Sequence, residues 1–290
     1  MNHVFIESKE QLVTYFRQGE KNPEATKIGT EHENFLLSKK TKKRVPYEGK
    51  QGVKSVLQAF AEQGWSPVFE KENLISLQNP CSMSSISLEP GGQFELSGSP
   101  VRTLHEGYEE LMAYLRQLDT ILRNKDMQRC GIGFDPFSKR EEVPWMPKDR
   151  YKIMRDFMIQ KGTHGLDMMT RTCTIQVNLD YTSEQDMVQK FRVSMGLQPI
   201  LSAVFANSAI VEGKESGYKS YRNYVWQNTD ADRCGLLPFV FQADMGYERY
   251  VDYLMDIPMY YVYRHSQMNM SGETFRTFLN KKLTILPGEM

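Results

Sequence analysis

Two periodicities of apolar and polar positions divide the chain into helices and strands. Apolar residues spaced three or four apart predict helices at 10–18, 52–63, 151–160, 184–209, 220–229 and 273–281. The pair Thr103 and Glu106 forms a capping box that opens a further long helix. We expect the buried face of that helix to carry Leu104, Tyr108, Leu111, Leu115, Leu118 and Leu122.

Alternating apolar and polar runs predict the strands. They lie at 27–37, 66–70, 74–77, 128–134, 171–181 and 256–264, and a hairpin spans 84–98 around Pro90, Gly91 and Gly92. Many neighbouring strands are near enough in the chain to be joined as hairpins, which favours antiparallel pairing. We therefore predict an α+β fold around a largely antiparallel sheet, rather than a doubly wound parallel sheet. The length by itself allows one large domain or two small ones.

Charge excludes some classes of partner. Lys and Arg together number 36 and so do Asp and Glu, giving a formal net charge of zero. Bulk nucleic-acid binding depends on a positive excess, so that class is excluded. The densest basic cluster, at 39–44, is broken by Thr41 and predicts a solvated turn. No apolar stretch approaches the ~20 residues that span a bilayer, so we expect no membrane partner.

The cysteines and the first residues bear on location. The four cysteines are scattered, without a CxxC pair, which argues against a disulfide framework and a zinc site. The N-terminal sequence MNHVFIESKEQL has no apolar core of a signal peptide and is not rich in Arg and Ser. From these features we predict a protein of the reducing cytoplasm.

Four glutamates are the first candidates for chemistry. Residues two apart on a strand share a face, so Glu31 and Glu33 project together. If the apolar residues of the hairpin pack on one core, Glu89 and Glu95 point together to the other side. Clustered carboxylates repel unless a cation lies between them, and oxygen ligands suit Mg²⁺. The alternative is that these glutamates are solvated faces of unrelated strands.

Amide side chains follow on the strand predicted at 171–181. Gln176 and Asn178 share one face, where they could hydrogen-bond a ligand or a metal-bound water, and Ile175 and Val177 share the other. The alternative is an edge strand with one wet side. Arg171 has the parity of the apolar face, so we place it at the start of the strand, where the chain can turn it toward the site.

An arginine and an aromatic residue form the third candidate group. Arg222 and Trp226 are four apart on a predicted helix and therefore lie on one face. A guanidinium beside an aromatic ring can bind a carboxylate through two hydrogen bonds. An ordinary surface cation–π pair is the alternative.

Long motifs along the chain resemble the plant and proteobacterial type of glutamate–cysteine ligase. They run in the family's order from about residue 27 to residue 289. The motifs are GTEHENF, ISLEPGGQFELSG, TLHE, MPKDRYKIMRDFM, GLDMMTRTCTIQVNLD, RCGLLPFVF, YVDYLMDIPMYYVYR and TFRTFLNKKLTILPGE.

The resemblance implies a glutamine synthetase-like fold, an antiparallel sheet funnel flanked by helices. It implies that ATP with Mg²⁺ phosphorylates the γ-carboxylate of glutamate and that the amine of cysteine displaces phosphate, the first step of glutathione synthesis. It leaves a homodimer open. The implied roles are metal ligation by Glu31, Glu33, Glu89 and Glu95; nucleotide or metal contact by Gln176 and Asn178; catalysis and substrate binding by Arg171 and Arg222; and an amino-acid pocket lined by Trp226 and Tyr260.

The sequence departs from the resembled family in length. Family members continue beyond the segment that corresponds to LPGE, and here that segment is followed by Met290. We therefore expect a single catalytic domain that lacks a C-terminal portion, with low activity or none. The alternatives are a non-catalytic Mg²⁺–ATP-binding partner subunit and a ligase that joins glutamate to another amine.

Overall fold

A computed structural model describes residues 6–264, 267–280 and 283. Its α-helices are α1 Lys9–Gln18, α2 Val53–Ala61, α3 Leu104–Arg123, α4 Asp149–Met158, α5 Gly165–Arg171, α6 Glu184–Val204, α7 Tyr221–Gln227, α8 Tyr247–Asp256 and α9 Phe275–Leu279. Short 3₁₀ turns occupy Pro23–Ala25, Arg140–Glu142 and Pro238–Phe241. The strands are β1 Ile28–Ser38, β2 Ser66–Glu70, β3 Asn73–Gln78, β4 Ser85–Leu88, β5 Phe94–Ser97, β6 Met127–Cys130, β7 Ile175–Leu179, β8 Ile210–Val211, β9 Lys214–Glu215, β10 Tyr261–Arg264 and β11 Gln267–Met270.

A seven-stranded antiparallel sheet organises the fold. Its strand order is β2-β3-β4-β5-β1-β6, and β7 pairs with the first half of β1. The long strand β1 therefore contacts β5, β6 and β7 along different parts of its length. The predicted α+β class with antiparallel pairing is confirmed.

Helices α2 and α3 cover one face of this sheet. Val56 and Phe60 of α2 are fully buried against Leu77 and Ile86 of the sheet. The α3 capping box forms as predicted. Its predicted apolar face is buried only from about Tyr114 onward, whereas the first two turns, which carry Leu104 and Tyr108, are mostly exposed. The helix is about 30 Å long, and its C-terminal half supplies its fully buried residues.

Several predicted boundaries were wrong. The segment predicted as a strand at 171–181 begins as the end of α5, and the strand itself is Ile175–Leu179. Residues 256–260 are not in a strand: α8 ends at Asp256 and β10 starts at Tyr261. The strand predicted at 128–134 ends at Cys130. The helix predicted at 273–281 spans Phe275–Leu279, and residue 281 lies outside the described residues, as does the LPGE segment.

The basic turn at 39–44 was predicted to be solvated, and for one of its residues that prediction was wrong. Arg44 is buried rather than solvated, with its guanidinium 4.3 Å from the Phe35 ring centroid and 3.4 Å from Asp135 Oδ2. The carbonyls of Gly91 and Thr170 accept its remaining described hydrogen bonds. Arg44 thus joins the hairpin turn to the end of α5 from inside the fold. No helix in the described part of the chain is long and apolar enough to cross a membrane.

Candidate active site on the polar face of the sheet

Two of the predicted metal ligands face each other across neighbouring strands. Glu33 of β1 and Glu95 of β5 are direct Cα partners in the antiparallel register. Ser97 donates a hydrogen bond of 2.6 Å to Glu95 Oε1, and the backbone N–H of Thr174 donates one of 3.0 Å to Glu33 Oε2. These donors hold the two carboxylates on the face of the sheet opposite to α2 and α3.

The other β1 glutamate contacts a predicted nucleotide-edge residue. Glu31 is the Cα partner of Gln176 across β1 and β7, and Asn178 Nδ2 donates a 2.9 Å hydrogen bond to Glu31 Oε1. Gln176 Nε2 lies 3.5 Å from Asn178 Oδ1. The structure therefore brings the predicted metal and nucleotide groups side by side.

Glu89 stands at the turn between β4 and β5. The turn is closed by the Gly92 N–H, which donates to the Glu89 carbonyl at 2.7 Å. Gln93 ties it to the end of α5 by donating to the carbonyls of Met169 and Thr172 at 3.2 and 2.8 Å. A Cβ on Gly91 would lie 2.4 Å from the Thr170 carbonyl oxygen, so only glycine fits this close approach.

The carboxylates crowd each other electrostatically. Burial, and after it the negative charges of Glu89 and Glu95, raise the pKa of Glu33 to about 8, against the opposing effects of the Thr174 hydrogen bond and the charge of Arg222. Burial also raises the pKa of Glu95, as do Glu89 and Glu31, while its hydrogen bond from Ser97 opposes the shift. A bound cation would relieve both shifts, because it favours the ionised form.

Sequence reasoning missed a lysine beside these carboxylates. Lys148 Nζ donates a 2.8 Å hydrogen bond to the carbonyl of Leu88, the residue before Glu89. Burial lowers the pKa of Lys148, and the charges of Glu89 and Glu95 act in the opposite direction. The available signal was its position between Pro147 and the start of α4, in the motif MPKDR.

Arg222 and Trp226 adjoin the carboxylate face. The Arg222 guanidinium carbon lies 5.6 Å from the Trp226 ring centroid, and its Nη2 donates a 3.1 Å hydrogen bond to Thr174 Oγ1. Thr174 thereby contacts both Arg222 and Glu33. Arg222 Nε and Trp226 Nε1 are buried donors without a hydrogen-bond acceptor among the described residues. Such donors suit an anionic ligand such as a carboxylate.

Arg171 does not lie at a strand start as predicted, and Tyr260 contacts a different arginine, Arg233. Arg171 is buried at the end of α5, where Asp167 Oδ1 and Glu212 Oε1 each accept a 3.1 Å hydrogen bond from its guanidinium. Its Nε, like that of Arg222, is a buried donor without an acceptor among the described residues. Tyr260 packs against the Arg233 guanidinium at 3.9 Å, and burial raises its pKa to about 12.

The glutamate carboxylates suit a hard cation as pairs of ligands rather than as one complete ligand set. Nowhere in the part of the chain that the structure describes do three or more His, Cys, Asp or Glu side chains gather closely enough to hold one ion. Mg²⁺ commonly takes one or two carboxylates and completes its shell with water and phosphate oxygens. Opposed pairs such as Glu33 and Glu95 match that requirement.

A comparison with known protein families shows which family the chain belongs to. The sequence profile of Glutamate-cysteine ligase family 2 matches residues 27–287. The chain belongs to this family. The match spans β1 to the last described residue and therefore includes every candidate site residue named above.

Curated family members are strongly similar to the chain. The glutamate–cysteine ligases of Brassica juncea and Arabidopsis thaliana are 46% and 47% identical over 285 residues, which is 98% of this chain and 54% of either relative. Glutamate–cysteine ligase A of Oryza sativa subsp. japonica is 47% identical over 98% of the chain and 57% of its own length. The chain thus spans about half the length of these relatives.

The predicted cytoplasmic location is contradicted by these comparisons. All three relatives are named as chloroplastic proteins. Scattered cysteines indicate a reducing environment but do not distinguish one reducing compartment from another, which is why the prediction failed.

Proposed function

We propose that the chain carries the catalytic site of an ATP-dependent glutamate–cysteine ligase. In this function the γ-carboxylate of glutamate is joined to the amine of cysteine. Residues 1–290 are proposed to act as one catalytic domain with small-molecule substrates. The family membership and the site geometry support this function together.

One feature above all supports this function: the carboxylate pair of Glu33 and Glu95 lies next to a guanidinium that has a free buried donor. Thr174 links the two halves through hydrogen bonds to Glu33 and Arg222. A carboxylate–amine ligase needs both, since it must hold cation-bound phosphates and an anionic amino acid within reach of each other.

Mg²⁺, when bound, would neutralise phosphate charge on the nucleotide. Glu31, Glu33, Glu89 and Glu95 are the proposed ligands, used in pairs. Gln176 and Asn178, which adjoin Glu31, are proposed to contact the nucleotide or water on the metal.

The proposed reaction has two steps. A γ-carboxylate oxygen of glutamate attacks the γ-phosphorus of ATP, and the bond to the bridging oxygen breaks to release ADP. The cysteine amine then attacks the acyl carbon, the C–N bond forms as the C–O bond to phosphate breaks, and the amine proton passes to solvent. Phosphorylation is needed because a carboxylate has no good leaving group.

The chain's own residues are proposed to position the substrates. Arg222 binds a substrate carboxylate with Nε, which has no protein acceptor among the described residues, while Trp226 flanks it. Tyr260 is proposed to line the cysteine side of the pocket. Arg171 is proposed to act on the substrate only through the loop that it anchors with Asp167 and Glu212.

The experiment that tests this function is ADP release by the purified chain with Mg²⁺, ATP and glutamate, with and without cysteine. Mass spectrometry identifies the product. Cysteine-dependent ADP with γ-glutamylcysteine is the expected result. A product with another amine alone would redirect the proposal to a different ligase, and tight Mg²⁺–ATP binding without ADP would indicate a binding subunit.

A further inference from the structure

A small cavity lies on the helix-covered side of the sheet, away from the carboxylates. Its volume is about 180 Å³, and it is lined by α3, by β5 and by the turn between β3 and β4. The β5 residue that lines it is Leu96, which is buried in the main core. Leu96 and Glu95 are adjacent in the strand and point to opposite faces, so the cavity is separate from the candidate active site.

One polar group that lines this cavity has no partner. Tyr114 is 3% exposed, and its Oη has no hydrogen-bond partner among the described residues. Burial raises the pKa of Tyr114, so the hydroxyl stays protonated and can donate. Buried hydroxyls in native proteins nearly always have a partner. The unpaired Oη beside a cavity therefore points to an acceptor that comes from solution.

The other uncharged polar residues that line the cavity already hydrogen-bond within the protein. Ser84 Oγ accepts a 3.3 Å hydrogen bond from Asn79 Nδ2. Gln117 Oε1 accepts one of 3.4 Å from Trp65 Nε1. These pairs can remain as they are when a ligand enters, so the polar contact that a ligand adds is the one to Tyr114.

The charge of the cavity selects against anions. Among the described residues that line it, Glu110 alone carries a charge. The backbone N–H and the Oγ of Ser99 each donate a 2.8 Å hydrogen bond to the Glu110 carboxylate, and these bonds restrict its orientation. A carboxylate attracts a cation and repels an anion. Trp65 also lines the cavity, and aromatic rings of this kind favour organic cations.

We propose that this cavity binds a small amino alcohol. Its ammonium group lies beside Glu110, and its hydroxyl oxygen accepts a hydrogen bond from Tyr114 Oη. Leu96 and Ala113 provide apolar contact for its carbon chain. The volume corresponds to about six water molecules, which suits a solute of about four to eight non-hydrogen atoms. An amine without a hydroxyl leaves Tyr114 Oη without an acceptor, and a neutral alcohol makes no use of the charge of Glu110.

The test compares three solutes of equal size as probes of the isotope-labelled 290-residue chain. They are ethanolamine, propylamine, in which a methyl group replaces the hydroxyl, and ethylene glycol, in which a hydroxyl replaces the ammonium group. Titrations followed by amide chemical shifts give the dissociation constants. We expect ethanolamine to shift amides in 79–84 and 110–117. Its dissociation constant should be at least about threefold lower than that of either other probe.

Two variants assign the binding to named groups. Tyr114→Phe removes only the hydroxyl, so it should abolish the preference for ethanolamine over propylamine. Ala113→Leu fills the cavity from α3 and should abolish detectable binding of ethanolamine. Thr120→Leu is the matched control, because Thr120 is exposed on α3 and does not line the cavity.

Several results would overturn the proposal. Equal dissociation constants for the three probes would mean that the cavity holds water only. Shifts confined to residues outside 79–84 and 110–117 would place the binding elsewhere, and a preference that survives Tyr114→Phe would exclude Tyr114 Oη as the donor. If Tyr114→Phe does not fold, Ala113→Leu decides: ethanolamine binding as strong as in Thr120→Leu would overturn the site. None of these measurements depends on ligase activity.

Discussion

Glu33 and Glu95 lie directly opposite each other across the β1–β5 pair. Like charges at such positions destabilise a sheet, because the side chains of cross-strand partners are close together. Burial raises the pKa of each carboxyl, and negative neighbours add to the shift: Glu89 and Glu95 act on Glu33, and Glu89 and Glu31 act on Glu95. The arrangement costs stability in the absence of a cation, and the cation proposed above would offset that cost.

Removal of one carboxylate charge should weaken Mg²⁺–ATP binding. Glu95→Gln keeps the side-chain shape but removes a charged ligand, which corresponds to about 1.5–3 kcal/mol, or roughly 10- to 100-fold in dissociation constant. Isothermal titration calorimetry measures the effect. Glu109→Gln, on the exposed side of α3, is the control. Equal affinity in the Glu95 and Glu109 variants would argue against a metal-binding role.

The metal-free chain should lose stability as pH rises from about 4.5 to about 8. Over this range Glu33 remains protonated in the folded state, where its pKa is about 8, but ionises in the unfolded state, where its pKa is near 4.5. The unfolded state therefore binds fewer protons, so the free energy of unfolding falls with pH, by about 5 kcal/mol at most.

Urea unfolding at several pH values without Mg²⁺ checks this dependence on Glu33. Glu33→Gln should flatten the decline, since glutamine does not titrate, whereas Glu109→Gln should leave it intact. An equally steep decline in the Glu33 variant would assign the effect to other groups.

Arg222→Lys should raise the KM for glutamate more than the KM for ATP. Lysine retains the charge but loses the planar fork that binds a carboxylate through two hydrogen bonds. A glutamate KM about tenfold higher is expected, with Arg116→Lys on the exposed side of α3 as the control. A change confined to the ATP KM would move Arg222 to the phosphate side of the site.

Arg44→Met should unfold the protein at a much lower urea concentration. The change leaves the carboxylate of Asp135 buried without its cation and frees the carbonyls of Gly91 and Thr170. Such losses cost about 3–5 kcal/mol. Lys43→Met removes the exposed ion pair with Glu142 and should cost less than about 1 kcal/mol. Similar urea midpoints of unfolding for the two variants would contradict this stabilising role of Arg44.

Gly91→Ala and Gly196→Ala should shift stability in opposite directions. The Cβ at residue 91 would clash with the Thr170 backbone oxygen, whereas at residue 196 it would meet open space inside α6. We expect a loss of at least about 1 kcal/mol for the first and a gain of about 1 kcal/mol for the second. Thermal unfolding of both variants measures this, and a neutral Gly91→Ala would show that the turn can move.

Local pattern predicted the elements well and their ends less well. The capping box of α3 and the strand β1 were recovered because both depend on neighbouring residues. The start of 171–181 was assigned wrongly because Arg171 ends α5, where its ion pair with Glu212, 41 residues away in sequence, is a tertiary contact. Alternation likewise predicted an apolar face for β7, but it could not show that this face is bare.

The sequence by itself determined the antiparallel α+β class, the family, and the pair of carboxylates two residues apart in β1, Glu31 and Glu33. Those features depend on periodicity and on motifs within the chain. The tertiary structure decided which pairs meet. The register of β1 against β5 and β7 sets Glu33 opposite Glu95 and Glu31 beside Asn178. Only the packing shows that Arg44 is buried and that Thr174 contacts both Arg222 and Glu33. Register and burial arise from contacts between residues distant in sequence, and periodicity does not encode those contacts.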